Sequence, residues 1–93
     1  MRVRRKPIEL EAWQFLPGHQ PQIIPEWIRP EWFCEIIELD ERGYQRRGQQ
    51  VLEIPTLEGT MRAKKGDWII QGVKGEVWLC RPDIFYMTYE FVV

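Results

Sequence analysis

Few of the 93 residues are of the types that perform nucleophilic or acid–base chemistry. The single histidine, His19, lies between Pro17 and Pro21, which is typical of a loop. The chain contains no serine, and its two thiols, Cys34 and Cys80, have no histidine near them in sequence. A catalytic nucleophile needs a base within hydrogen-bond reach and a third group that orients the base. The pattern therefore predicts a protein that is not an enzyme.

Metal and cofactor sites have no stronger signal in the sequence. One histidine and two distant cysteines leave only carboxylates as further ligands, and no spacing of the fourteen acidic residues indicates a metal site. The glycines occur in strings such as GVKG and LEGT, which are typical of hairpin turns and do not form a phosphate-binding loop. We therefore expect no cofactor and no metal. We also expect both cysteines to be free thiols in apolar strands.

Gly66 and Asp67 form a more specific local pattern, which predicts a turn. Glycine is favoured where the backbone takes a left-handed conformation, and an aspartate beside it can accept hydrogen bonds from nearby backbone N–H groups. We therefore interpret Gly66-Asp67 as a structural turn; a binding role is the alternative.

Acidic residues and tryptophans are concentrated in one segment. Residues 26–41 hold six acidic side chains and one basic one, although the whole chain has a formal charge of only −1. Two of the five tryptophans follow Pro-Glu pairs in this segment, whereas Trp13, Trp68 and Trp78 lie in apolar strand patterns that favour the core. Aromatic anchors within a charged rim are typical of protein interfaces. The predicted partner-binding residues are Trp27, Glu31, Trp32, Glu35, Glu38, Asp40 and Glu41.

Two other interpretations of the charges remain open. The acidic residues can form a solvated surface with internal ion pairs, which is the ordinary role of such a segment. Basic residues flank the segment in sequence, so a phosphorylated ligand could instead be held by arginines and an aromatic ring. The residues for this alternative nucleotide site are Arg5, Tyr44 and Arg47.

The elements that must position these residues are mostly short strands. Period-two apolar patterns predict strands at 3–15, 33–39, 51–57, 60–63, 68–71 and 76–81, with a change of phase inside the first that indicates a β-bulge. Proline-initiated turns are expected near residues 25 and 30, a helical turn from Pro82, and a closing strand at Tyr89–Val93. Residues 1–93 are thus expected to form one mainly β (α+β) domain, a small antiparallel barrel or strongly bent sheet with one or two short helices.

Length and charge exclude several partner classes. No apolar run approaches the ~20 residues that span a bilayer, and acidic residues interrupt the apolar part of the N-terminus, so no membrane segment and no signal peptide are expected. A formal charge near zero argues against direct binding of nucleic acid. Apolar edges at Val51–Leu57 or Tyr89–Val93 could pair across a two-fold axis, so a homodimer is expected as one option.

A resemblance to a known family adds the biological setting. About two thirds of the chain resembles a small protein family that recurs in tailed bacteriophages and prophages and that has no settled biochemical role. The strings that carry the resemblance are TLEGTM, GDWII, GVKGE, CRPDIF and TYE, together with RRKP near the N-terminus and IPEWI in the middle. Lys65 and Tyr86 depart from the family pattern, and residues 29–50 largely lie outside it.

The resemblance implies a phage-encoded protein that acts in the cytoplasm of a bacterial host. We expect a non-enzymatic accessory protein that binds and inhibits a host component, with an antiviral defence system as the first candidate. The alternatives are a protein that sequesters a nucleotide signal and a minor structural or assembly protein of the virion. The resemblance supplies no catalytic residues.

Overall fold

Six short strands and one helix make up the regular structure of the described residues, which are 1–4, 6–18, 23–45 and 48–92 of this computed structural model. The strands are β1 (Glu11–Gln14), β2 (Phe33–Ile36), β3 (Gln49–Thr56), β4 (Gly59–Ala63), β5 (Trp68–Gln71) and β6 (Val77–Cys80). A 3-10 turn at Pro30–Trp32 precedes β2, and the helix α1 (Pro82–Thr88) follows β6. Among the described helices, none is long and apolar enough to cross a membrane.

The strands form two antiparallel sheets of three strands each. The orders are β1-β5-β6 in the first sheet and β2-β3-β4 in the second. The mainly β expectation is confirmed, but the described strands form these two sheets rather than a closed barrel. The expected dimerisation edge at Val51–Leu57 is not an edge, because β3 pairs with β2 on one side and β4 on the other.

Apolar side chains of both sheets meet in one buried cluster. Trp13 and Ile69 come from the first sheet, and Leu52, Ile54 and Ala63 come from the second. The opposite face of the first sheet carries a second cluster, in which Trp68 and Ile70 pack against Phe85 of α1. The first sheet is therefore covered on both faces and forms the middle layer of the domain.

Coverage on both faces explains the change of phase in the first predicted strand. Leu10 packs on the helix-side cluster, and Trp13 lies in the cluster between the sheets. Apolar residues therefore occur at both even and odd positions although the strand is regular. The register from Glu11↔Gln71 to Gln14↔Trp68 is unbroken, so the expected bulge was wrong. The strand is also shorter than expected, beginning at Glu11. The expected closing strand was wrong as well: residues 89–92 form no strand, and Val93 lies outside the described residues.

The predicted Gly66-Asp67 turn is confirmed. Gly66 has a φ of 95°, and its N–H donates to the Phe15 carbonyl at 2.7 Å. The Asp67 carboxylate is only 3% exposed; its Oδ2 accepts the Lys64 N–H at 2.8 Å and pairs with the guanidinium of Arg81. This turn joins the end of β1 to the start of β5 and to the residue that precedes α1.

The chain exposes more area than its mass predicts. Its accessible surface is 8207 Å², whereas a folded monomer of 11.3 kDa exposes about 5,700 Å². The principal extents are 63 × 31 × 24 Å, and the described residues at 1–9 and 37–45 are almost all exposed. Both segments thus offer surface that the fold itself does not cover.

Candidate functional site

Trp27 and Trp32 are positioned by two consecutive proline-initiated turns. The Ile28 N–H donates to the Pro25 carbonyl and the Trp32 N–H donates to the Arg29 carbonyl, each at 3.1 Å. Ile28 is buried in the core between the sheets, which fixes the turns to the body of the domain. Both indoles are half-buried and pack against this core, so each presents one part of its ring to solvent.

The two indoles line the same open cleft, of about 470 Å³, which we call the tryptophan cleft. The opposite wall comes from the end of β3 and the β5–β6 hairpin. Leu57 on this wall is 90% exposed. The other lining residues are Arg29, Pro55, Thr56, Gln71, Gly75, Glu76 and Val77. Such a cleft can accept an apolar side chain of a partner between rings that are already held in place.

Glu76 lines the tryptophan cleft, and Glu31 is linked to it through Arg29, which also lines it. Glu31 accepts a hydrogen bond from Nε of Arg29 at 3.3 Å. A backbone hydrogen bond, and after it the hydrogen bond from Arg29, lower the pKa of the Glu31 carboxyl, so this residue is ionised at neutral pH. Oε2 of Glu76 accepts the Lys74 N–H at 3.1 Å. Two carboxylates and one guanidinium thus lie in or next to the cleft, and this small excess of negative charge suits a partner with basic groups around an apolar anchor.

The other predicted acidic residues are separated from the tryptophan cleft. Glu35 lies on β2, and its carboxylate covers Gly48, where a side chain would collide with it. Glu38 and Glu41 are exposed on the loop between β2 and β3. Asp40 lies seven positions beyond Phe33, and none of these acidic residues lines the cleft. The structure thus brings Trp27 and Trp32 together, links Glu31 to them through Arg29, and places the remaining acids along the β2–β3 hairpin.

Asp40 has a structural function at the tip of that hairpin. Its Oδ1 accepts the N–H groups of Arg42 and Tyr44, each at 2.9 Å. The Gly43 N–H donates to its carbonyl at 3.0 Å. These bonds close the turn, so the Asp40 carboxylate is already engaged within the chain.

The alternative nucleotide site falls partly outside the described residues. Arg5 and Arg47 belong to the undescribed positions, as does His19. Tyr44 is 69% exposed and lines a shallow cleft of about 270 Å³ with Asp40, Glu41 and Arg42. Two of these four lining residues are acidic.

Sequence reasoning missed the C-terminal wall of the tryptophan cleft. Leu57, Gln71 and Val77 come from hairpins whose glycines and apolar residues were interpreted as turns and core. The predicted strand at 51–57 included Leu57, whereas β3 ends at Thr56 and leaves Leu57 exposed beside the cleft.

The remaining chemistry-bearing groups are dispersed. The described residues contain no group of three or more His, Cys, Asp or Glu side chains that could hold a metal ion. Cys34 on β2 and Cys80 on β6 carry free thiols. Burial raises the pKa of the Cys80 thiol, and the carboxylates of Asp83 and Asp67 raise it further.

Comparisons of the whole chain with protein-family models, with curated proteins and with solved structures found no match.

Proposed function

We propose that this chain is a non-enzymatic, phage-encoded accessory protein that binds and inhibits a protein of the bacterial host, a component of an antiviral defence system first of all. It would act in the host cytoplasm. The observation that carries the proposal is the tryptophan cleft, in which two indoles fixed by the core share an open apolar surface with Leu57. Tryptophan is enriched among residues that dominate binding energy, because it buries a large rigid surface with little loss of side-chain freedom.

Charge supports the choice of a basic partner surface. Three exposed carboxylates lie on the same continuous segment of chain: Glu31, which pairs with Arg29 of the cleft, and Glu38 and Glu41 on the β2–β3 hairpin. Exposed rim charges act mainly on the rate of association, and salt screens them over about 8–10 Å. A defence protein that handles nucleic acid has a basic groove of the required sign.

The first experiment is affinity capture from phage-infected bacteria with a tagged chain, followed by mass spectrometry of bound proteins. The Trp32→Ala variant should lose the partner, with a binding cost of about 2 kcal/mol or more if the indole is an anchor. Because Trp32 also packs against the core, Trp32→Phe tests whether a smaller ring retains part of the affinity. Met87→Ala is the matched control, since Met87 is an exposed apolar residue on α1, away from the cleft.

The second experiment measures rates with the captured partner. Glu38→Lys with Glu41→Lys should slow association at low salt and change dissociation little. Glu35→Lys is measured separately, because its side chain lies against Gly48. If both the tryptophan and the glutamate variants retain full affinity, the partner binds elsewhere and this site is wrong.

A functional readout distinguishes the inhibitor from the other two candidates. Expression of the wild-type chain should restore plating of a phage that the host defence restricts, and Trp32→Ala should not. A nucleotide-sequestering protein would instead release a compound absorbing near 260 nm on denaturation. A virion protein would be present in purified particles.

A further inference from the structure

A second groove, of about 590 Å³, runs beside β1 and is separate from the tryptophan cleft. Five consecutive residues, 8–12, line one side, and four consecutive residues, 89–92, line the other. Its floor is the apolar cluster of Trp68, Ile70 and Phe85. Successive side chains of an extended chain point to opposite faces of a sheet. Since consecutive residues line this groove, it runs along the edge of the backbone and does not lie on one face of the sheet. We call it the β1 groove.

The backbone along this groove has an open side. β1 is an edge strand, since among the described strands it pairs with β5 alone. The Phe15 N–H donates to the Asp67 carbonyl at 2.9 Å, so Phe15 bonds toward the β5 side. Successive residues of an antiparallel strand point their N–H and C=O groups to opposite sides. The backbone N–H and C=O of Trp13 therefore point toward β5, as those of Phe15 do. The backbone groups of Ala12 point toward the open edge, and those of Leu10 do the same where the alternation continues.

The β1 groove also has an unpaired donor and an uncompensated charge. Nε1 of Trp68 is buried and bonds no acceptor among the described residues, and Trp68 lines the groove. Glu9, Glu11 and Glu90 line it as well, and within the described part of the chain none of these carboxylates forms an ion pair. An extended segment could supply both missing partners: its basic side chains would pair with the carboxylates, and a free backbone carbonyl would accept the hydrogen bond from Trp68.

The chain itself contains such a segment, the N-terminal arm Met1–Arg4. Its residues alternate apolar and basic, all four are exposed, and Arg2 and Arg4 have no ion-pair partner among the described residues. We propose that the arm of one copy binds antiparallel in the β1 groove of a second copy, and that two such contacts form a symmetric dimer.

The pairing has a definite register, in which the numbers of facing residues sum to 13. Met1 then faces Ala12 and Val3 faces Leu10, as hydrogen-bonded pairs that use the outward groups of β1. Arg2 faces Glu11 and Arg4 faces Glu9 in the closer, non-hydrogen-bonded pairs, where opposite charges attract. Val3 and Met1 fall on the side of Leu10, which packs on the Trp68 cluster.

Pairing between copies is favoured over a hairpin within one chain. The same register within one chain would need a two-residue turn at Lys6-Pro7. Such turns require a positive φ at the first or both central residues, whereas proline fixes φ near −65° and favours an extended residue before it. Extended backbone at Lys6-Pro7 instead carries the arm away from its own groove.

The proposed assembly closes at two copies. Each copy donates one arm and accepts one, so the two arm–groove contacts are identical and related by a two-fold axis.

Light scattering after size exclusion tests the proposal on the intact chain. The wild type is expected to have twice the 11.3 kDa chain mass, and a synthetic peptide of residues 1–6 in excess should dissociate it. Arg2→Glu with Arg4→Glu, and separately Glu9→Arg with Glu11→Arg, should each weaken dimerisation at least about tenfold, since four attractive pairs become repulsive. All four positions are exposed, so both variants should remain folded, with the far-UV circular dichroism of the wild type.

Mixing the two charge variants is the decisive measurement. Each arm of the mixed dimer then faces opposite charge, so the mixture should form heterodimers although neither variant forms a homodimer. A mixture that stays monomeric overturns the proposal, as does a wild-type dimer that the substitutions leave intact. A wild type that is monomeric but binds the peptide also overturns it, because the groove would then accept a basic segment of another protein.

A cross-link tests the register independently of charge. In a chain with Cys34→Ala and Cys80→Ala, the pair Arg4→Cys and Glu9→Cys should form an intermolecular disulfide. Facing non-hydrogen-bonded residues have Cα atoms about 4.5 Å apart, within the range for a disulfide. The control pair Arg4→Cys and Glu11→Cys lies two residues out of register, at a distance of about 7–8 Å, and should not form one. Equal cross-linking of both pairs would show that the register is wrong.

Discussion

Replacing Asp67 by alanine tests how the turn before β5 stabilises the domain. The Asp67 carboxylate is 3% exposed, accepts the Lys64 N–H at 2.8 Å and pairs with Arg81. The turn also joins β1 to β5, because the Phe15 N–H donates to the Asp67 carbonyl. Asp67→Ala removes the carboxylate and leaves the backbone carbonyl in place, so it isolates the contribution of the side chain.

The two contacts of the carboxylate differ in expected size. A hydrogen bond to a charged group contributes about 1.5–3 kcal/mol to stability. The Arg81 side chain is 52% exposed, so its guanidinium returns to water and its loss costs no more than about 1 kcal/mol. The free energy of unfolding of Asp67→Ala should therefore fall by about 2–3 kcal/mol. For a domain of this size that corresponds to a melting temperature lower by roughly 10–20 °C.

Urea unfolding followed by tryptophan fluorescence measures these differences. Arg81→Ala leaves the buried Asp67 carboxylate with the Lys64 N–H as its one remaining partner among the described residues, so it should also lower the free energy of unfolding, by about 1–3 kcal/mol. Glu58→Ala is the matched control, since Glu58 is exposed and its change should stay within about 0.5 kcal/mol of the wild type. If Asp67→Ala costs no more than Glu58→Ala, the carboxylate does not stabilise the turn and the reasoning is wrong.

Three further substitutions or measurements address separate parts of the molecule. Gly66→Val should lower the free energy of unfolding by about 1–3 kcal/mol because Gly66 has a φ of 95°; Thr60→Val at an exposed strand position is the control, and equal stability of the two variants would contradict the strain argument. Phe85→Ala should cost about 3–5 kcal/mol, since Phe85 is buried and stacks on Trp68 with ring centroids 4.0 Å apart. Tyr86→Ala, next to it but exposed, should cost far less, and similar losses would refute a helix-side core. Iodoacetamide should alkylate Cys80 more slowly than free glutathione at pH 7.5, because a raised thiol pKa leaves less thiolate at that pH, and the rate should rise as the pH is increased. The slow alkylation should be absent from Cys80→Ser, which assigns it to Cys80. An alkylation rate of Cys80 equal to that of glutathione would contradict the raised pKa.

The interaction surfaces, if both proposals hold, act together. A dimer through the N-terminal arms would carry two tryptophan cleft sites on one particle. A partner with two accessible copies would then bind with an avidity above the affinity of one cleft, provided that the geometry allows both contacts. Binding measurements on the charge-reversed monomers separate the affinity of one cleft from this effect.

Local sequence determined most of the strand positions and turns. β5 occurs at Trp68–Gln71 as its apolar run predicts, and Gly66 takes the left-handed conformation that the Gly-Asp pair predicts. The helical turn at Pro82 also follows from a proline with a nearby acidic residue. These features depend on neighbouring residues and on backbone sterics, so a short stretch of sequence contains the information.

Tertiary structure alone decided which face each strand covers and which residues form the clefts. The period of two in β1 could not distinguish a bulge from a strand with two covered faces, because both make Leu10 and Trp13 apolar. Likewise, Trp32 and Val77 line one cleft although forty-five positions separate them. Asp40 is engaged by its own turn, whereas Glu31 pairs with Arg29 of that cleft. The period of apolar residues and the composition indicate whether a side chain is buried or exposed. The residues that it contacts depend on how the two sheets pack, and long-range contacts determine that packing.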